Sequence, residues 1–558
     1  MKKKLPIGIN DFKEIREDNY YYVDKSLLIK EVIDEDAKVI LLPRPRRFGK
    51  SLNISMLHYF FEKRQDNSNL FKGLKIEKLD SNYLKKMGNH PVIKIDFKGS
   101  KSKDWNLALE RIKRAIADEY QRHSYLLDSD VLLEHQREEF QTIMSLKANQ
   151  TAYEFALENL SKHLNAYYER RVIILIDEYD EPIQSAHLNG YYEEIIDFMR
   201  SLLIRGLKGN PNLEKGIMTG ILRVAKESIF SGLNNLVVSS LLENRYDKYF
   251  GLLEAEVEEI FNHYGLDYEL TEVKEWYNGY YFGEQIVYNP WSIISCVHKR
   301  GELKPYWINT SGNELVRDLI IEGDSEVKSK LELLIKGETI KKKIDENIVF
   351  SDIDKKSNAL WSFLLLSGYL RAKNQFRENA RLYCDLDIPN REVQYIYEEI
   401  IIDWLEERIT SYKLEFMLEA LTTGDVDTFA EIFEEFVLNS MSNFDVGGDA
   451  PEKVYHAFVL GLLLNLRDDY EVNSNRESGY ERYDVMIIPK DTNKLGIVIE
   501  FKKVNKHRNE DLEEAVEEAL EQIEARRYRQ GLIKKGIDNV LELGIAFSGK
   551  RVKIKSMQ

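Results

Sequence analysis

An α/β architecture with separate N-terminal and C-terminal sheet domains is the fold class the sequence predicts, and three observations carry it. Near the N-terminus an apolar run, Val39 to Leu42, stops at Pro43 and gives way to a basic turn closing in Gly49, Lys50 and Ser51, with a helix-like stretch behind. Apolar runs then alternate with helical stretches up to Gly220, the pattern of a parallel sheet covered by helices. Near the C-terminus a second alternation of helices and strands surrounds the almost wholly apolar segment Gly496 to Glu500.

Taken in order, Tyr20 to Tyr22 lead into an amphipathic helix that Asp24 or Ser26 can cap. These tyrosines either wall a base pocket or cover the sheet edge. The strand, turn and helix around Gly49-Lys50-Ser51 then form a phosphate cradle. Backbone N–H groups and a helix N-terminus favour an anion, Lys50 reaches its terminal phosphates and Ser51 offers a hydroxyl to Mg²⁺. This is a P-loop arrangement with Arg44 at the position usually held by its first glycine. Arg44, Arg46 and Arg47 would repel one another without an anion nearby. At least one is expected to face phosphate, contact with a partner or DNA being the alternative.

His90 to Ser100 reads as a second strand and residues 103–169 as largely helical. Arg170 to Pro182 is a basic lead-in, a buried strand and paired acids. Asp177 stands where a carboxylate supports Mg²⁺, and Glu178 where one polarises water against a γ-phosphate. A strand ending in solvated acids is the plainer account, but the Gly-Lys-Ser turn on an earlier strand favours a nucleotide. A helix near 191–206 precedes a fourth strand ending at Thr219 and Gly220. Ligands gather at the carboxyl ends of such strands, where Lys50, Asp177 and Thr219 are expected. Thr219 is a candidate sensor of the γ-phosphate and Arg223 a candidate for stabilising its charge. The alternatives are a strand-end hydroxyl and a surface arginine.

From about 240 to 400 helices are interrupted by a hairpin-like segment, Tyr277 to Gly283. Trp276, Tyr277, Tyr280, Phe282, Tyr288 and Trp291 could stack bases, but a small aromatic core is the preferred reading. Residues 395–440 look helical and acidic, and Asn443 to Lys453 supplies a glycine-rich break. Beyond it the chain reads as helix (452–466), strand (482–488), strand (496–503), helix (510–528) and strand (541–547). Asp484 opens one strand, while Glu500 and Lys502, two apart on the next, share a face. Two carboxylates on adjacent strands can hold Mg²⁺, and a lysine beside them can orient water or steady charge on phosphorus. An amphipathic hairpin with a polar face is the ordinary alternative. It is disfavoured because Glu500 ends a buried strand. Glu452 and Gln522, on the flanking helices, are candidate accessory ligands, though a surface or capping role is simpler for each.

The 558 residues suit roughly three or four domains at about 150 each. With 43% hydrophobic and 31% charged residues the chain can build real cores and a solvated surface. Two cysteines, Cys296 and Cys384, make neither a disulfide framework nor a zinc site, so a reducing cytoplasmic setting is expected. The basic start has no apolar core behind it, and no run approaches the roughly 18 apolar residues of a membrane span. A soluble protein without a membrane partner is expected. A net charge of −16 argues against nonspecific coating of nucleic acid. It leaves room for a nuclease with a local basic groove and a metal.

With both centres in hand, the chain resembles a bacterial family that joins an AAA-ATPase-like domain to a C-terminal PD-(D/E)XK nuclease-superfamily domain. The resemblance rests on YYVDKS, RPRRFGKSL, LIDEYDEP, MTGILRVAKESIFSGLNN, YNGYYFG with YNPWS, LDIPNREV, NRESGYERYDVMIIP, GIVIEFK and GIAFSGK. RPRRFGKS in place of a glycine-initiated loop is itself a mark of that family. The resemblance implies a P-loop NTPase domain (1–240), a mostly helical, winged-helix-like lid or coupling region (241–400), a helical connector (401–445) and an αβββαβ-type nuclease-like domain (446–558). It implies ATP bound by Arg47, Phe48, Gly49, Lys50, Ser51, Leu52, Thr219 and Arg223, with Asp177 and Glu178 at the Mg²⁺ and water positions. Asp484, Glu500 and Lys502 match the three core positions of the nuclease superfamily. Ser51, Asp177, Asp484 and Glu500 are then the metal-holding residues. The function expected is an ATPase coupled to an Mg²⁺-dependent nuclease acting on DNA ahead of RNA, homo-oligomerisation being left open. The alternatives are a nucleotide-dependent switch or scaffold that binds nucleic acid or a partner without cutting, and a remnant in which neither centre turns over.

Overall fold

The apolar runs of the N-terminal half become a five-stranded parallel sheet. Its strands are β1 (Val39–Pro43), β2 (Val92–Asp96), β3 (Val172–Asp177), β4 (Leu213–Gly220) and β5 (Leu236–Val238), in the order β2-β3-β4-β1-β5. The computed structural model describes residues 2–223, 235–266, 270–307, 314–353, 357–406, 409–440, 450–476, 483–504, 511–526 and 528–557. At 325, 357, 406, 440, 450–457, 474–476 and 483–484 it describes the backbone alone. The stretch at 224–234, most of the glycine-rich break and the lead-in to Asp484 lie outside the described residues. The chain divides into two units, Met1–Leu315 with Thr339–Gln394, and Val316–Glu338 with Tyr395–Gln558.

In the first unit β1 and β3 are buried at every position, which accounts for their unbroken apolar sequence. The helix Trp105–Arg122 shows how its neighbours are specified. Asp104 caps it by accepting from the Leu107 N–H at 3.0 Å. Ala108, Ile112, Ile116 and Tyr120, four apart, form its buried stripe. Helix Glu181–Asn189, which the periodicity did not reveal, starts with Pro182 in its first turn and stops at Gly190. The expected hairpin is β6 (Tyr280–Phe282) with β7 (Gln285–Val287), turning at Gly283 and Glu284. Tyr277, Tyr280, Phe282 and Tyr288 are core residues. Phe48 packs edge-on against Tyr280 at 4.9 Å.

Besides helices, the middle of the chain carries an antiparallel sheet of β8 (Ile340–Ile344), β9 (Arg371–Glu378) and β10 (Arg381–Asp387), with β10 central. Nearby Glu392 is fully buried and accepts from Ser292 Oγ at 2.7 Å and from the Trp307 N–H at 2.9 Å. Burial pushes its carboxyl up to about 7.

From residue 450 onward the second unit follows an αβββαβ order with one added strand. Helix Ala450–Asn465 precedes β11 (Tyr470–Arg476), β12 (Tyr483–Pro489) and β13 (Gly496–Lys503). Helices Leu512–Arg526 and Tyr528–Ile533 then lead to β14 (Val540–Ser548) and β15 (Arg551–Ser556). The strands lie in sequence order, antiparallel except that β13 and β14 run parallel. A parallel pair needs a crossover, and the Leu512–Arg526 helix supplies it. The first six residues of β13 are buried, as a central strand requires. Both cysteines are free and buried. Among the described residues no helix is long and apolar enough to cross a membrane.

Candidate functional site

The first centre lies at the carboxyl edge of the parallel sheet. β4 separates β1 from β3 and pairs with both, so Thr219 stands between the cradle and the paired acids. The chain leaves β1 at Pro43 and enters the Lys50–Phe61 helix through Gly49, whose φ is 87°. That left-handed backbone is where glycine is needed, and a side chain there would be strained even though space is free around it. Arg47 (φ 70°) and Glu178 (φ 49°) adopt the same region without being glycine, each at a cost on the order of 1 kcal/mol. Strain thus gathers on both sides of the cradle. No side chain caps the helix start, which leaves its first N–H groups open to an anion.

Lys50 is 3% exposed. Its ammonium donates to the Arg44 and Pro45 carbonyls at 3.2 Å each and lies 3.3 Å from Glu178 Oε1. The lysine and the acid expected to meet the γ-phosphate from two directions therefore pair with each other. Asp177 is buried and accepts from the Thr219 hydroxyl and from the Glu178 N–H at 3.1 Å. Burial, with the negative charges of Glu178 and Asp96, pushes its carboxyl up to about 6, while hydrogen bonds from Ser51 and Thr219 oppose the rise. Phe48, Gly49 and Leu52 help line an apolar cavity together with Tyr21, Tyr22 and Leu252.

The three arginines part ways. Arg44 is fully buried, donating to the Pro43 and Ser239 carbonyls at 2.7 Å each, with its guanidinium over Phe250 and Phe282. Its Nε and Nη2 have no partner among the described residues, and burial pulls its pKa down to about 10. Arg44 is thus a core residue under the loop. Arg46 donates to Gln184 at 2.8 Å, and Arg47 lies 4.5 Å from the centre of the Trp291 ring. Arg223 is half-buried, and its charge acts on the Glu243 carboxylate.

The second centre is on β13. Its register sets Glu500 opposite Asp484 on β12, and directly opposed positions share a face. The Asp484 and Glu452 side chains lie outside the described residues. Glu500 has no solvent exposure. One carboxylate oxygen accepts from Gln522 Nε2, while Oε2 has no partner among the described residues. Gln522, for which a surface or capping role was the simpler reading, is instead bonded to the central acid. The reason is the close approach of its helix. On the other side of β13, Glu500 pairs with Gly544, where a Cβ would come within 2.8 Å of the Val516 carbonyl oxygen. The Lys502 side chain is 17% exposed, and its Nζ donates to Glu518 Oε2 at 2.7 Å. Among the described residues, which do not include the Asp484 side chain, no three His, Cys, Asp or Glu side chains cluster as ligands.

Three groups and one pairing are absent from the sequence reading. Asp180 is buried and accepts from the Ile221 and Leu222 N–H groups at 2.8 and 3.0 Å, tying the segment after β3 to the segment after β4. Asp96 ends β2 in register with Asp177, and its position after an apolar strand is the same signal that marked Asp177. Glu518, four residues before Gln522 on one helix, had only that spacing as a clue. The pairing of Glu178 with Lys50 had no local signal.

Two family models match this chain in the same places. Residues 6–230 match one described as Predicted AAA-ATPase, and residues 450–557 match one described as PD-(D/E)XK nuclease superfamily. The chain therefore carries an AAA-ATPase-like domain and, at its C-terminus, a PD-(D/E)XK nuclease-superfamily domain. A relative from Azotobacter chroococcum mcd 1, named as an uncharacterized protein in the vnfD 5' region, is 28% identical over 480 residues, covering 84% of this chain and 85% of its own.

Proposed function

We propose that the first centre binds ATP with Mg²⁺ and that its occupancy gates Mg²⁺-dependent cleavage of nucleic acid, DNA ahead of RNA, at the second. One observation carries the reading. Glu500 is a wholly buried carboxylate with one oxygen that has no partner among the described residues, at the register position facing Asp484. Such an oxygen is costly to bury, and a divalent cation held with Asp484 would relieve it. When bound, Mg²⁺ polarises the phosphoryl oxygens and lowers the pKa of an attacking water. The protein's part is to orient Glu500 through Gln522 and to hold the Lys502 ammonium where negative charge builds on the phosphate.

At the first centre the helix N-terminus and Lys50 bind the phosphates, and Ser51 and Asp177 would hold the metal. The base enters the apolar cavity beside Gly49. Glu178, once Lys50 turns to phosphate, orients the water. The test is a cleavage assay of the full chain on single- and double-stranded DNA and RNA, with Mg²⁺, with and without ATP. Cleavage that ATP changes severalfold, and that K502A abolishes, is expected. ATP binding with no cleavage under any metal would remove the nuclease reading and leave the switch.

A further inference from the structure

The helix Leu512–Arg526 runs along β13 and meets it in two rungs. Gln522 donates to Glu500, and Lys502 donates to Glu518 at 2.7 Å. Moving forward by two on the strand, from 500 to 502, corresponds to moving back by four on the helix, from 522 to 518. Two strand residues advance about 6.6 Å and four helical residues about 6 Å, so both rungs form without distortion. Gly544, next to Glu500 on β14, brings the helix close enough for this.

The Lys502–Glu518 pair is half open to solvent on the acid's side, with Glu518 48% exposed. Exposed ion pairs add little to stability, so the pair's main effect is on where the ammonium sits. A lysine stem carries several rotatable bonds, and an unpaired Nζ samples positions well away from Glu500. We propose that Glu518 is a positioning residue, holding the Lys502 ammonium on the Glu500 side of β13 so that it meets the phosphodiester without rearranging. Glu518 itself touches neither metal nor nucleic acid. The inference rests on the reading of β13 as the strand of a nuclease centre.

The experiment uses the full chain. E518A is expected to lower kcat for cleavage about tenfold while KM for the oligonucleotide rises less than about twofold, and E518D to restore part of the loss. Oligonucleotide affinity in Ca²⁺ is read in parallel for wild type, E518A, K502A and the double variant. K502A should weaken binding severalfold, E518A by a smaller factor, and the double variant should match K502A alone. An E518A effect of the same size with and without Lys502 overturns the proposal, as does a change in KM alone. Failure of the wild type to cut any nucleic acid removes the nuclease reading. The Ca²⁺ affinity cycle still decides whether Glu518 acts through Lys502. A melting temperature of E518A within about 3 °C of wild type separates positioning from loss of structure.

Discussion

Lys50 and Lys502 are held in opposite ways. Lys50 is 3% exposed at the head of a helix, its ammonium enclosed by two loop carbonyls and Glu178, with left-handed backbone on either side. Lys502 stands on a regular strand and reaches an acid on a neighbouring helix. A cradle built from backbone needs unusual dihedral angles, and so writes its signature into consecutive residues. A site built on a sheet needs only ordinary backbone and recruits its partners from elsewhere in the chain.

The comparison breaks most sharply at Glu500. E500Q keeps the side chain's shape and removes its charge, so Mg²⁺-dependent cleavage is expected to fall about a thousandfold. ATP affinity, titrated with a fluorescent analogue, should stay at the wild-type value. Loss of both would mean that the two centres cannot be separated. K50A is the reciprocal change. It should weaken ATP binding about a hundredfold, the size of a charge-assisted contact to phosphate, and unchanged affinity would remove the cradle assignment.

Arg44 sharpens the contrast between residues inside the cradle and those beneath it. In R44M the buried stem remains and the guanidinium goes, with the Nε and Nη2 that have no partner among the described residues. Melting should stay within a few degrees and ATP affinity within about threefold, since replacing a buried charge by an apolar group of similar shape is often neutral. R44A, which leaves a cavity, should destabilise by about 2–4 kcal/mol. A large loss of ATP affinity in R44M would return Arg44 to the phosphate.

The last comparison sets Glu500 against Glu392, a buried acid whose oxygens are already engaged by Ser292 and Trp307. Burial raises Glu392 to about 7 from 4.5. The folded state therefore holds this proton more tightly than the unfolded chain. Its stabilising share is full below about pH 4.5 and is lost as pH rises through 7, about 3 kcal/mol in all. Glutamine cannot ionise, so the melting temperature of E392Q should gain on wild type between pH 5 and 8. A gap constant across that range would refute the assignment.

Much of both centres was legible in advance, for identifiable reasons. Val39 to Leu42, Val172 to Ile176 and Gly496 to Ile499 are buried strands because nothing polar interrupts them; Asp177 ends β3, whereas Glu500 lies inside β13, which runs on to Lys503. The C-terminal elements that were expected lie within a few residues of their places because apolar runs and turn residues alternate cleanly there, whereas β11 and β15, rich in polar and charged residues, were not anticipated. The strands β8 to β10 were missed because charged residues such as Lys341 to Lys343 mask their alternation. Gln522 was undervalued because a glutamine on an amphipathic helix looks like any solvated residue until its distance from the sheet is known.

By itself the sequence determined most of the elements and the primary chemical groups, since hydrophobic periodicity and turn chemistry act over a few neighbouring residues. Only the tertiary structure decided that β4 lies between β1 and β3, that Lys50 pairs with Glu178, that Arg44 turns into the core, and that Gln522 and Glu518 meet Glu500 and Lys502. These are contacts between residues far apart in the chain or around a reversing loop. They are set by how strands order and how closely a helix can approach a sheet, which no local pattern encodes.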